Sequence, residues 1–221
     1  TERSVLLKRF IIQLSPKKII NINSHLLFNL LLESSKEISN FSDLYCFCFS
    51  PSRSKNGQLT GFSLDFIPKI ISDTKFILTD NSNVVEFLVE TFGLNKNKFM
   101  VLYQPIEVSR FIKKNYSTKH KWNILWASRI DYEKLPNILE RIVEKSFDKM
   151  FFHIYGKSVM DRKELSINRI KKRKNVKVYG EYHGGLRNIE TDDFDLFLYT
   201  SWFDGMPNVV LEAMSLGLPV I

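Results

Sequence analysis

The strongest constraint on the fold is an alternation that runs from Trp122 to Ile221. WNILWA (122–127), FFHIY (151–155), VKVYG (176–180) and DLFLYT (195–200) are short apolar runs of strand length. PNILERIVEK from Pro136, a charged stretch over 161–173 and PNVVLEAMSL from Pro207 have helical period and lie between or after them. Strands alternating with helices of this length imply a parallel sheet covered on both faces, the α/β class. Pro207 is expected in the first turn of its helix and Gly217 just past its end, the usual punctuation. LPVI (218–221) starts a fifth strand.

The first half shows the same pattern less cleanly. KKIININ (17–23), LYCFCFS (44–50), KFILTD (75–80) and FMVLYQP (99–105) are strand candidates. HLLFNLLLESSKEI (25–38), IPKII (67–71) and NVVEFLVETFG (83–93) are helix candidates, and SRSKNGQ (52–58) is a polar loop. YQPIEVSRFIKKNYSTKHK (103–121) is polar and without strong period, so it is the natural linker. The expected organisation is two Rossmann-like domains, 1–103 and 122–221, joined by 104–121. The chain begins on Thr1 and ends on an uncovered strand, which leads us to expect that both domains are cut short.

Composition narrows the class. No apolar run approaches the roughly 18 residues that span a bilayer, and TERSVLLKRF lacks the layout of a signal peptide. The net charge of +8 is spread over the chain, and its densest run is Lys171-Lys172-Arg173-Lys174. A solvated helix C-terminus explains that run better than an anionic membrane surface, and nucleic acid is the weakest of the three explanations. Cys46 and Cys48 have no second cysteine pair to complete a zinc site, so they are read as reduced core cysteines.

Ligands of open parallel sheets bind at the carboxyl ends of the strands. After WNILWA come Ser128, Arg129 and Lys134, where an Arg fork and a Lys point charge could grip a diphosphate. Solvated loop cations are the plainer explanation of either alone. After DLFLYT come Asp204, Gly205, Met206 and Asn208, with Glu212 one turn further along the helix. Carboxylates suit sugar and ribose hydroxyls, and the backbone at a helix start suits phosphate; a loop cap and an exposed Glu would explain the same residues. The third place is Gly156, then Gly180-Glu181-Tyr182, where glycines permit close approach of a base or ribose but are equally at home in turns.

In order, ILWASRIDYEK, FFHIYGK, VKVYGEYH and FDLFLYTSWFDGMPNVVLEAMSLGLPVI resemble the donor-binding domain of the family 4 (retaining, GT-B fold) glycosyltransferases, the group 1 type. The last block is the most specific, with an acidic residue, seven residues and Glu, here Asp204 to Glu212. The resemblance covers 122–221, and more loosely 17–121 through TDNS (79–82) and YQPIE (103–107). It implies two Rossmann-like domains facing across a cleft, with 1–103 on the acceptor side.

The resemblance further implies a transferase that moves a sugar from a nucleotide-sugar donor to a saccharide or lipid-linked acceptor with retention, in surface-polysaccharide assembly. The place of action would be the cytoplasm or the inner face of an anionic membrane. Arg129 and Lys134 would hold the diphosphate, so that no metal or other cofactor is required. Glu212 would hold the ribose, and Asp204 with Gly205, Met206 and Asn208 the transferred sugar. Asp204 stands where the family more often has Glu, and the His that many members carry after the strand matching LYCFCFS is absent, with Ser50-Pro51-Ser52-Arg53 in its place. Nothing in residues 1–16 matches the family's Gly-rich loop, so weak donor binding and poor turnover are expected of these 221 residues. A catalytically silent nucleotide-sugar-binding subunit and a GT-B-type epimerase are the alternatives.

Overall fold

The structure, a computed structural model, describes residues 2–22, 24–48, 52–53, 59–60, 66–107, 121–146, 149–158, 165–190, 193–202, 204 and 206–221. Gly205, residues 108–120 of the expected linker and residues 161–164 of the charged stretch fall outside them. The chain divides into two compact units, Thr1–Gln104 with Asp204–Met206, and Pro105–Phe203 with Pro207–Ile221.

In the first unit, β1 (Lys18–Ile22), β2 (Asp43–Phe47), β5 (Phe76–Thr79) and β6 (Phe99–Val101) form one parallel sheet in the order β1-β2-β5-β6. Its helices are α1 (Glu2–Leu14), α2 (His25–Ser39), α3 (Ile67–Ile70) and α4 (Ser82–Phe92). β3 (Ser52–Arg53) and β4 (Leu59–Thr60) pair antiparallel, so the first two residues of the expected polar loop are strand and β4 follows directly after it. Asn21 ends β1 by accepting from the Ser24 N–H at 3.0 Å, and Ser24 caps α2 through the Leu27 N–H. α4 starts on an Asn81 cap and ends at Gly93, whose φ of +64° is the left-handed conformation of a helix stop.

Alternation places Leu44, Cys46 and Cys48 in the buried core together with Phe28, Leu31 and Ile77. Burial, with the neighbouring Cys48, pushes the Cys46 thiol up to about 12, so the sulfur stays protonated and unreactive. Helix α1 is absent from the sequence reading. Ser4 and Ile11 face the core, but exposed Val5, Leu6, Phe10, Ile12 and Leu14 surround them and erase the 3.6-residue contrast.

Asp80, at the carboxyl end of β5, is 8% exposed, and its Oδ1 is the one buried side-chain polar atom without a hydrogen-bond partner among the described residues. Burial raises its pKa, while its own backbone N–H pulls the other way. A carboxyl raised in the folded state stabilises most below the unfolded value of about 3.9, and that stability is lost as pH rises through the folded value. Asp80→Asn is therefore expected to raise stability at pH 7 by on the order of 1 kcal/mol. The gain should vanish near pH 3, as checked by urea unfolding at the two pH values.

In the second unit, β7 (Trp122–Ala127), β8 (Met150–Tyr155), β9 (Val176–Gly180) and β10 (Leu196–Phe197) form a parallel sheet in the order β10-β7-β8-β9. α5 (Pro136–Lys145) and α6 (Leu165–Ile170) belong to this unit, as does α7 (Asn208–Ser215). β7 is buried on both faces. Ile124 and Trp126 join the cluster of Leu139, Val143 and Ile170, while Leu125 and Ala127 join Leu186, Phe197 and Ala213. That is why WNILWA is a continuous apolar run rather than an alternating one.

Arg169 forks onto Glu140, with Nη2 to Oε2 at 2.6 Å, and ties α6 to α5. The Lys171–Lys174 run follows α6 directly; all four side chains are exposed, and Arg173 lies 3.7 Å from Glu144. β10 is shorter than DLFLYT, and LPVI contributes a single parallel bridge, Val220 to Phe197. Pro207 is the residue before α7 rather than one within its first turn.

Candidate functional site

The loop after β7 is shaped by its own polar residues. Asp131 accepts from the backbone N–H groups of Glu133 and Lys134 at 3.1 and 3.2 Å and folds Tyr132–Lys134 into a 3₁₀ turn. The Ser128 N–H donates to the Tyr155 carbonyl at 3.1 Å, and the Ile130 N–H to the Lys157 carbonyl at 3.0 Å. Arg129 is 57% exposed, with its guanidinium 3.4 Å from Asp131 and 3.5 Å from Glu133. Exposed pairs of this length are weak, so a diphosphate, with more charge and matching fork geometry, can draw Arg129 from them.

The loop after β10 is bound to the loop after β7. The Trp126 Nε1–H donates to Thr200 Oγ1 at 2.9 Å, and the Thr200 hydroxyl donates to the Lys134 carbonyl at 2.7 Å. The Ser201 hydroxyl and the Trp202 N–H both donate to the Glu133 carbonyl, at 3.2 and 2.9 Å. Lys134 is only 9% exposed, and its Nζ lies 3.5 Å from Ser201 Oγ. Two places separate in sequence are thus one cationic corner at the carboxyl ends of β7 and β10.

Thr200 is the shared node of that corner. Thr200→Val should leave the buried Trp126 N–H and the Lys134 carbonyl each short of a partner. A loss of about 2–6 kcal/mol is expected at roughly 1–3 kcal/mol per orphan; chemical denaturation checks it.

At the end of β8, Gly156 packs closely against the loop after β7. A Cβ there would lie 2.0 Å from the Ser128 carbonyl oxygen. Beside it, Tyr155 stacks on Tyr179 with ring centroids 4.3 Å apart and meets Tyr182 edge-on at 6.2 Å. Burial raises the hydroxyl pKa of Tyr155 to about 12, and Tyr182 is raised by burial and by the charge of Glu212. Tyr155 and Tyr182 both pack against the cluster of Leu186, Ala213 and Leu216, on the side of the sheet that α7 covers.

Glu212, half-buried on α7, accepts the Leu186 N–H at 2.7 Å. It opens on a cavity of about 270 Å³ with Pro105, Glu107, Gly184, Arg187 and Ser215. Arg187 closes one side of the cavity by pairing with Glu107 at 2.7 Å. Asn208 is exposed at the first residue of α7, where no side chain caps the backbone N–H groups. Asp204 and Met206 are half-buried. Among the described residues, no group of three or more His, Cys, Asp or Glu is placed to hold a metal ion.

The structure thus gathers Ser128, Arg129, Lys134 and Gly156 at one corner, and Tyr182 and Glu212 at another, with Tyr155 touching both. Sequence reasoning passed over Thr200, Ser201, Gly185 and Leu186. The Gly184-Gly185 pair was the one local signal for the last two, because consecutive glycines mark backbone that no side chain can follow.

Residues 122–221 match the family described as Glycosyl transferases group 1. No curated protein sequence matches the chain. Among solved structures, the lipopolysaccharide outer core galactosyltransferase WaaB superposes with a TM-score of 0.71 at 18% identity, covering 99% of this chain and 59% of that one. Alr3699/HepE from Anabaena, in complex with UDP, gives 0.73 at 15% identity over 97% of this chain and 62% of that one. The pneumococcal O-GlcNAc transferase GtfA, in complex with UDP and GlcNAc, gives 0.69 at 18% over 99% and 44%. The chain spans less than two thirds of the length of each. The fold is that of the GT-B glycosyltransferases, two parallel-sheet α/β regions of four strands each.

Proposed function

We propose that the half of the chain whose residues 122–221 match the group 1 glycosyl transferases binds a nucleotide sugar and serves a retaining transfer to a saccharide or lipid-linked acceptor. The observation that carries the reading is the corner at the ends of β7 and β10. There the buried Lys134 is fixed between Thr200 and Ser201, next to a displaceable Arg129. Two cations at a strand-end loop neutralise a diphosphate, and they act most strongly on the charge that develops as the sugar–phosphate bond breaks. In this reading they do the work a metal does elsewhere.

Glu212 takes the ribose, Tyr182 flanks the nucleoside, and Asp204, Gly205, Met206 and Asn208 take the sugar. The UDP in the HepE and GtfA complexes makes uridine the first nucleoside to try. The family resemblance extends the reading to surface-polysaccharide assembly in the cytoplasm, at an anionic membrane face. Among the described residues, no helix is long and apolar enough to cross a membrane.

Thermal-shift titration with nucleotide sugars and free nucleoside diphosphates, with and without a chelator, tests this. At about 100 times its dissociation constant a ligand adds roughly 2.7 kcal/mol of stability. The expected result is a shift with one nucleoside's diphosphates that the chelator does not remove. No shift with any compound refutes donor binding, and a shift abolished by the chelator refutes the metal-free account.

A further inference from the structure

Glu212 is held in an unusual way. Its Oε2 receives the Leu186 N–H at 2.7 Å, and its carboxylate occupies the space beside Gly185 that a side chain there would enter. A Cβ at Gly185 would stand 2.8 Å from Oε2 and 3.0 Å from both Cδ and Oε1. Gly185 has φ +84°, a conformation that turns the chain so that the next N–H faces α7. Both sides of the contact are anchored: Leu186 is fully buried, and Ala213, beside Glu212 on α7, is fully buried in the same cluster.

We propose that the Gly185-Leu186 backbone is the positioning element for Glu212, so that the carboxylate is shared between protein and ligand. The inference rests on the donor-binding reading. One lone pair of the carboxylate is spent on the Leu186 N–H, which removes the side chain's freedom to swing. Oε1 receives no hydrogen bond among the described residues, Glu212 lines the cavity, and an ionised carboxylate retains acceptor sites for further donors. Two adjacent hydroxyls of a ribose suit such an acceptor, whereas a 2′-deoxyribose offers one. The site therefore distinguishes ribonucleoside from deoxyribonucleoside diphosphates because Gly185 has no side chain. The clash at Gly185 is with the far end of a flexible side chain, so Gly185→Ala is expected to fold and to push Glu212 aside.

The probes are UDP and 2′-deoxy-UDP, measured calorimetrically on the whole chain. Wild type is expected to prefer UDP by about tenfold, the value of one lost hydrogen bond of about 1.4 kcal/mol. Gly185→Ala should bind both at the weaker level. Gly93→Ala carries similar left-handed strain at φ +64° with nothing within 4 Å of the added Cβ, and it should keep the wild-type preference. Retention of the preference in Gly185→Ala overturns the proposal.

Amide exchange at Leu186 is the second readout and needs no ligand. Protection is expected in wild type and in Glu212→Gln, which keeps an acceptor, and should be lost in Glu212→Ala. An unchanged Leu186 rate in Glu212→Ala overturns the positioning role whatever binds. If UDP does not bind wild type while Leu186 protection follows Glu212 as expected, the uridine donor reading fails and the shared-carboxylate proposal falls with it, leaving only a structural contact.

Discussion

Gly156→Ala is expected to cost more than about 4 kcal/mol, an exceptional loss for removing a hydrogen from one residue. The new Cβ would lie 2.0 Å from the Ser128 carbonyl oxygen, 3.2 Å from its carbon and 3.3 Å from Ile130 Cγ1. These are backbone atoms and a buried branched side chain, and none can rotate away. Ser128 is fixed from its other side by its N–H bond to the Tyr155 carbonyl, and Ile130 by its bond to Lys157. The main chain at Gly156 also has φ +150°, which side-chain-bearing residues rarely adopt.

For a chain of this size each kcal/mol moves Tm by roughly 2–4 °C, so a fall of at least about 8 °C is expected, or failure to fold. Gly180→Ala separates strain from collision. At φ +86° it meets nothing within 4 Å, and it should lose only about 1–2 kcal/mol. Equal losses in the two variants would contradict this packing account.

Arg129→Ala and Lys134→Ala are expected to act on function far more than on stability. Arg129 is exposed and its ion pairs are long, so its removal should change stability by less than about 1 kcal/mol. If it neutralises the leaving diphosphate, transfer should fall by about 10²–10³-fold, the effect of removing one preorganised charge-stabilising donor. Lys134 differs because it is nearly buried and its carbonyl is already committed to Thr200. The carbonyl survives in Lys134→Ala, so the corner should hold while Nζ is lost, and donor affinity should drop at least tenfold. Lys134→Arg should recover little, since the planar fork does not replace a point charge in a closed corner. Transfer assays paired with urea unfolding check all three, and wild-type transfer in Arg129→Ala would place the diphosphate elsewhere.

The second unit was readable because its physics is local. WNILWA, FFHIY and VKVYG are short apolar-rich runs with a covered face, so their spans match β7, β8 and β9 within one residue. α1 was not readable, because five exposed apolar side chains blur its period and its helical face is set by packing on α2. DLFLYT overstated β10, since beyond Phe197 the chain keeps ladder bonds to Leu125 and Ile221 without remaining a regular strand.

At the site, Arg129, Lys134 and Glu212 could be singled out by type and spacing. What holds them could not. The Thr200 node joins residues 66 and 74 apart in sequence, and the Leu186 N–H that seats Glu212 is a backbone group invisible in any residue pattern. Gly156 could be read from the sequence as a turn or as a close approach to a ligand, and its packing against the Ser128 carbonyl is not visible in any residue pattern.

The central claim is that a nucleoside diphosphate sits on the carboxyl ends of the second unit's strands, between the Lys134 corner and Glu212. Backbone chemical-shift mapping during titration with UDP addresses it most directly. The account predicts saturable shifts at Ser128–Lys134 and at Gly184–Leu186, reduced in Arg129→Ala and Glu212→Ala. Saturable shifts that leave both segments unmoved would contradict it.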